Sequence, residues 1–314
     1  MIITMPDTQT DEISDKLNDL HEERGEAVLG RVLTLVISTT ADELEHALRV
    51  ANDASHEHPC RVIAIAPSTR SLDDDMENHT FLDAELRIGA DAGAGEIIVL
   101  RPRGGLVHHQ DTLVIPLLVP DAPVVAWWPT EAPANPSTDR LGAMATCRIT
   151  DALRSSNPMR TMSDLRRNAS PKNMDLSWTR ITVWRAMLAS LLDQPPHMPI
   201  QSVKITGPAD FLPTDLLAAW LRLCLNVPVT LVDEPDATAV TGVYLTRADG
   251  GVISLERRPA DEGLATVHMP GQAEQGVAMP TRTLSECLNE ELGRLYPDEI
   301  YAQVVGKGWD LIRP

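Results

Sequence analysis

Basic residues, aromatics and long apolar runs are all scarce in this sequence, and each scarcity closes off a class of function. Lys and Arg number 27 against 45 Asp and Glu, for a formal net charge of −18. Phosphate backbones and anionic headgroups are bound through clustered Lys and Arg, so nucleic acid and membrane surfaces are not expected partners. No stretch approaches the ~20 apolar residues needed to cross a bilayer. Met1–Arg24 is polar and acidic, without the apolar core of a signal peptide. The four cysteines (Cys60, Cys147, Cys224 and Cys287) lie far apart. They form no C-x-x-C and no Cys-His cluster, which argues against zinc and against a secreted disulfide framework. The first three sit in or beside apolar runs, where a buried reduced thiol is expected. A soluble, cytoplasmic protein fits these features. Aromatics make up 4% of the chain, so its core must be built mostly from Leu, Val, Ile and Ala.

What is present is β–α–β grammar. Arg31–Ser38 is β-branched and almost continuously apolar, as a strand covered on both faces requires. Thr40 and Glu43 have capping-box spacing ahead of a helix that puts Leu44, Ala47, Leu48 and Ala51 on one face. Arg61–Ala66 is the next buried strand, and the unit implies a right-handed parallel crossover. Strands follow at Phe81–Ile88, Glu96–Leu100, Pro123–Trp128 and Cys147–Thr150, with short helices near Thr112–Leu118 and Ser137–Thr146. The second half opens with a long helix, Leu176–Leu192, capped by Asp175. Strand Ser202–Thr206, helix Pro213–Leu225 and strand Val229–Val232 form another β–α–β unit. Val240–Thr246, Val252–Arg257 and Leu264–His268 read as antiparallel strands, the first two joined by a tight turn at Ala248–Gly251. A second capping box, Thr283 and Glu286, opens the C-terminal helices. At 314 residues two domains are expected. The fold class is α/β, with an N-terminal, mostly parallel sheet carrying helices on both faces and a C-terminal α/β domain with an added antiparallel hairpin region. The boundaries read as a flexible acidic arm at 1–30, an N-terminal domain at 31–160 and a C-terminal domain at 161–314.

The motifs of phosphate and metal chemistry are missing. Gly89, Gly93 and Gly95 do not match G-x-G-x-x-G, and they lead into a strand. A dinucleotide site needs a helix N-terminus there, whose free N–H groups and dipole hold the pyrophosphate. No Walker sequence and no G-x-S-x-G elbow occurs. His108, His109 and Asp111 lack a third ligand at helical spacing. The acidic run Asp73, Asp74, Asp75 and Glu77 lacks the glycine and terminal glutamate of a calcium loop and reads as a solvated face. No catalytic residue, cofactor or metal is therefore assigned.

Two segments stand out. Trp127 and Trp128 end an apolar strand, so one ring lies on each face of the sheet, at the carboxyl edge where open α/β sheets bind ligands. They fit either a core-capping role or a ligand edge. In Met174–Ala189, Trp178, Ile181, Trp184 or Arg185, and Leu188 recur at helical spacing, and Arg180 lies four residues before Trp184, where a guanidinium can stack on the indole. A core helix and an interface face both fit this pattern.

These blocks carry a family resemblance. MDLSWTRITVWRAMLA, with RRNASPKN before it, resembles the signature of the glucose-6-phosphate dehydrogenase assembly protein family (OpcA). RIGADAGAGEIIVLRPRGG and PVVAWWP resemble its N-terminal blocks, and the similarity runs from about Arg31 to the C-terminus. The resemblance implies a non-catalytic partner that forms a hetero-oligomer with glucose-6-phosphate dehydrogenase and activates it at the entry to the oxidative pentose phosphate pathway. It places the family motif on Asp175, Leu176, Trp178, Thr179 and Arg180 and on Trp127 and Trp128, as contact or domain-holding residues. Some photosynthetic relatives are linked to thioredoxin-dependent control, whereas this chain has only Cys287 near its end. The competing reading, from a different class, is a cytosolic enzyme or ligand-binding protein with its pocket at the Trp127/Trp128 edge.

Overall fold

The computed structural model describes residues 1–24, 32–67, 80–89, 95–257 and 263–313. The acidic run at 73–77 and Gly93 lie outside these residues. The elements follow in chain order: β1 (Ile2–Met5), α1 (Thr10–Arg24), β2 (Leu33–Ser38), α2 (Leu44–Ser55), β3 (Cys60–Ile65), β4 (Leu82–Ile88) and β5 (Glu96–Pro102). Next come α3 (Gln110–Val114), β6 (Val124–Trp128), α4 (Arg140–Met144), β7 (Cys147–Thr150), α5 (Pro158–Arg167) and β8 (Asn173–Asp175). The remainder is α6 (Leu176–Thr179), α7 (Thr182–Leu192), β9 (Ile200–Gly207), α8 (Leu212–Leu225), β10 (Val229–Asp233), β11 (Gly242–Arg247), β12 (Val252–Arg257), β13 (Leu264–His268), β14 (Gln275–Ala278), α9 (Leu284–Gly293) and α10 (Glu299–Gln303).

Two sheets organise the chain, and the α/β class with a mostly parallel first sheet is as the apolar patterning requires. The eight-stranded sheet has the order β1-β4-β5-β3-β2-β6-β7-β8. Strands β5, β3, β2, β6 and β7 pair in parallel, while β1 and β4 add antiparallel strands at one edge. The order runs outward from β2 in both directions, which is a doubly wound sheet whose switch point lies between β2 and β6. Residues of β2, β3 and β6 are buried almost throughout because both faces are covered. On one face Val36, Ile63, Ile98, Ala126 and Trp128 pack with Ile13, Leu17 and Leu20 of α1 and with Leu113, Leu117 and Leu141. Helices α2 and α9 pack together, tied by Ser285 to Asp53 (3.0 Å) and by Asn289 to Glu57 (2.6 Å).

The opening segment is a correction to the expected flexible arm. Met1–Met5 pairs along β4, and α1 buries Ile13, Leu17 and Leu20. These residues stand at i, i+4 and i+7, an amphipathic stripe that the surrounding acids dilute in composition but not in periodicity. At the other end of α1, His21 Nε2 meets Glu96 Oε2 at 2.7 Å, and Glu96 also receives Arg61 Nε. Arg61 and Glu96 are register partners at the starts of β3 and β5, so this buried ionic group joins helix to sheet. Gly95 must be glycine, since a Cβ there would collide with the Cys60 carbonyl.

The six-stranded sheet has the order β10-β9-β11-β12-β13-β14, with β10 and β9 parallel and the rest antiparallel. Strand β14 was not marked by the patterning because its four residues, Gln-Gly-Val-Ala, carry no apolar alternation. The chain divides into two compact units that are not consecutive in sequence. The first is Met1–Ser156 with Lys172–Met174 and Leu284–Pro297, and the second is Asn157–Pro171 with Asp175–Thr283 and Asp298–Pro314. The expected boundaries, 31–160 and 161–314, give each domain one continuous stretch. A return of α9 to the first unit cannot be seen in a linear pattern.

Candidate partner-contact site

Strand β6 places its two tryptophans on opposite faces of the covered sheet, and both rings are interior, Trp127 at 0% and Trp128 at 3% exposed. Trp128 belongs to the core shared with α4. Gly142 lies directly beneath its ring, where a side chain would strike both the indole and the Pro136 carbonyl. The Trp127 Nε1 has no hydrogen-bond partner among the described residues.

Asp175 caps its helix as expected, accepting from Ser177 N at 2.9 Å. The helix itself is broken: α6 ends at Thr179, α7 starts at Thr182, and Arg180 is the cap between them. Asp175, Trp178, Thr179 and Trp184 are all buried, and Arg180 is half-buried. Trp178 Nε1 donates to Asp298 Oδ2 at 3.0 Å, while the other oxygen of Asp298 caps α10 by accepting from Tyr301 N at 2.9 Å. The Tyr301 ring lies 5.9 Å from Trp178. One carboxylate thus anchors the family-like block to the C-terminal helices. Guanidinium groups from elsewhere stack on these rings: Arg185 covers Trp178 at 3.7 Å and Arg257 covers Trp184 at 5.3 Å. Arg257 and Asp298 carry no signal in sequence, because their partners are fixed only by folding.

At the switch point of the first sheet the β2–α2 turn carries no glycine. The expected capping box is not formed. Glu43 becomes the N-cap without a side-chain bond to the helix and instead accepts from Arg154 Nη2 at 2.9 Å, with His46 Nδ1 at 3.3 Å. Arg154 also reaches the Pro129 carbonyl at 3.4 Å, just beyond β6. Partial burial opposes ionisation of Glu43, but the hydrogen bonds and charges of Arg154 and His46 hold it below the usual carboxylate range. The crevice outside β2 and β6, where open sheets bind ligands, is therefore bridged by an ion pair of the chain's own.

A cavity of about 200 Å³ lies in the second unit, at the carboxyl ends of β9 and β10 and the start of α8. Asp210, Asp215, Asp233 and Arg313 line it, and Arg313 donates to Asp215 and Asp210. Burial pushes Asp215 up to about 6 despite that guanidinium. Cys60, Cys147 and Cys287 are buried, and burial raises Cys147 to about 12. Cys224 is exposed, contrary to expectation, because it lies in the last turn of α8, beyond Leu221 where the buried residues of the helix end. Among the described residues no group of His, Cys, Asp and Glu has metal-binding geometry, and no helix is long and apolar enough to cross a membrane.

Fold and site define a doubly wound α/β unit with a bridged switch point, combined with an α/β unit built on a mixed sheet. Family models described as the N-terminal and C-terminal domains of the glucose-6-phosphate dehydrogenase subunit match residues 51–167 and 171–305. The chain belongs to the glucose-6-phosphate dehydrogenase assembly protein (OpcA) family. It is 25% identical over 225 residues to a putative OxPP cycle protein OpcA of Nostoc punctiforme, covering 66% of this chain and 47% of that protein. The chain thus spans about half the length of this curated relative. Among solved structures, an oxidoreductase from Sinorhizobium meliloti aligns at TM-score 0.45 and 10% identity over 90% of this chain and 96% of that one. A glucose-6-phosphate dehydrogenase bound to glucose 6-phosphate aligns at TM-score 0.36 and 9% identity, covering 92% of each chain. At these scores nothing functional follows from the likeness.

Proposed function

We propose that this chain is a cytoplasmic, non-catalytic assembly factor that binds glucose-6-phosphate dehydrogenase as a hetero-oligomer and activates it allosterically in the oxidative pentose phosphate pathway. Family membership across both halves of the chain carries the reading. The Arg154–Glu43 bridge supports the non-catalytic part, since it occupies the crevice that a dinucleotide enzyme would keep open. The aromatic motif residues are interior, and Trp178 holds α6, α7 and α10 together through Arg185, Asp298 and Tyr301, so their role is to shape a contact surface. Arg180, half-buried at the helix break, is the motif residue assigned to the partner. The alternative of a small-molecule pocket at the Trp127/Trp128 edge draws no support from two buried rings.

A binder without chemistry changes a rate by preferring one state of the enzyme. A coupling of ~1–3 kcal/mol changes substrate affinity roughly 5- to 150-fold, and linkage makes the effect on binding reciprocal. Dehydrogenase activity titrated with this chain, with size exclusion in parallel, tests the reading. Co-elution and a rising, saturating activity are expected, with Arg180→Ala weakening both while unfolding like the wild type. Two separate peaks at micromolar concentration would remove the complex, and a flat titration would remove the activation.

A further inference from the structure

Gly207 and Asp233 are the last residues of β9 and β10, and they stand opposite each other in register. With the first turn of α8 they wall the cavity of about 200 Å³. This is the carboxyl edge of a parallel β–α–β unit, where such units bind small ligands. One polar group here lacks a partner. Thr214 is 4% exposed and lines the cavity, yet its Oγ1 makes no hydrogen bond among the described residues. The hydroxyl stands at the Gly207 wall, 3.1 Å from where a Cβ on that glycine would be. A buried hydroxyl left unpaired costs free energy, and a ligand that brings its own polar groups removes that cost.

We propose that this cavity is a binding site for a neutral polyol of monosaccharide size. The hydrogen-bonding capacity left over in its lining selects that class. Asp233 accepts from Ala209 N at 2.9 Å through Oδ1, and its Oδ2 is unused among the described residues. Arg313 donates from Nε and Nη2 to Asp215 and from Nη2 to Asp210, and its Nη1 is likewise unused. The site therefore offers a carboxylate that accepts, a guanidinium that donates and a hydroxyl that does either. A phosphate ester meets three carboxylates against one guanidinium, and that guanidinium is already paired. An organic cation cannot accept from Nη1, and among the described residues the carboxylates form no metal-binding group. Sugar hydroxyls both donate and accept, so a single polyol satisfies all three groups. Pro208 and Leu231 add apolar wall for its C–H face. The volume lies below the ~300–1,000 Å³ of sites for drug-sized ligands, which limits the occupant to about one sugar ring.

The test is isothermal titration calorimetry of the full chain, without the dehydrogenase, against glucose and ribose, with glucose 6-phosphate and spermidine as charged competitors. Saturable binding of a neutral sugar in the millimolar range is expected. Asp233→Asn and Thr214→Val should each weaken it about tenfold, the loss of one hydrogen bond to a charged or buried group. Without sugar, Thr214→Val should melt at or above the wild-type Tm, because a methyl of the same shape replaces an unpaired hydroxyl. No saturable binding of either sugar overturns the proposal, as does binding that both substitutions leave unchanged. Glucose 6-phosphate or spermidine outcompeting the neutral sugar also overturns it, and assigns the cavity to anions or to cations. Binding is measured on this chain alone, so its failure leaves the hetero-oligomer reading standing.

Discussion

The two sheets of this protein solve the burial problem differently. In the eight-stranded sheet, β2, β3 and β6 are buried on both sides, and even the crevice at its switch point is closed by Arg154 and Glu43. In the six-stranded sheet, β11 and β12 bury Val243, Leu245, Ile253 and Leu255 but leave Tyr244, Thr246 and Val252 partly or fully exposed. A sheet covered twice has no face left to offer a partner, whereas a sheet covered once keeps an ordered surface with polar groups already fixed. The first unit thus closes both faces of its central strands, while the second leaves side chains of β11 and β12 exposed.

The comparison breaks most visibly in the doubly covered sheet. Trp128→Ala should cost ~3–5 kcal/mol, because a buried ring is lost and the surrounding core relaxes only in part. Urea unfolding that shows a loss below ~1 kcal/mol would mean that this face is not packed as described.

Removing the buried carboxylate at the start of β5 comes next. Glu96→Ala strips Arg61 and His21 of the anion they share and should cost about 3 kcal/mol. Glu96→Gln, which keeps a hydrogen-bond acceptor, should lose less, and equal losses would argue that packing alone is at stake.

In the second unit, pH sharpens the contrast. Burial raises Asp215 from its ordinary value of 3.8 to about 6. Between those values the folded state holds more protons than the unfolded one, so stability from this group is highest below about 3.8 and declines as pH rises to about 6. The urea midpoint should therefore fall less between pH 4 and pH 6 in Asp215→Asn than in the wild type. Parallel profiles would show that this carboxyl titrates normally.

The smallest effect belongs to the open face. Val252→Thr should change folding stability by no more than ~0.5 kcal/mol, whereas Leu255→Ala on the covered side should cost ~2–5 kcal/mol. Similar losses at the two positions would mean that both sides of this sheet are buried.

Much of this architecture was legible in the residues. The apolar runs marked nearly every strand, Asp175 and the proline of α8 marked their helix starts, and Ala248–Gly251 marked its hairpin. Less legible was α1, whose stripe of Ile13, Leu17 and Leu20 is diluted by acids on every side. The break at Arg180–Ile181 was hidden too, because the apolar spacing continues through it. The aromatic motif showed where the chain is unusual but not which side of those rings meets solvent, since a buried stripe and a contact stripe have the same periodicity.

Strand and helix positions follow from local terms: runs of apolar side chains, a capping oxygen, a proline that fits only a first turn. Those terms act over a few residues and can be read in order along the chain. The group that holds the motif joins Trp178 to Asp298 across 120 residues, and the bridge at the switch point joins Glu43 to Arg154 across 111. Either carboxylate could have paired elsewhere as far as local preference goes. Strand order and register brought these partners together, so the sequence sets the elements while the tertiary fold chooses which charges and rings meet.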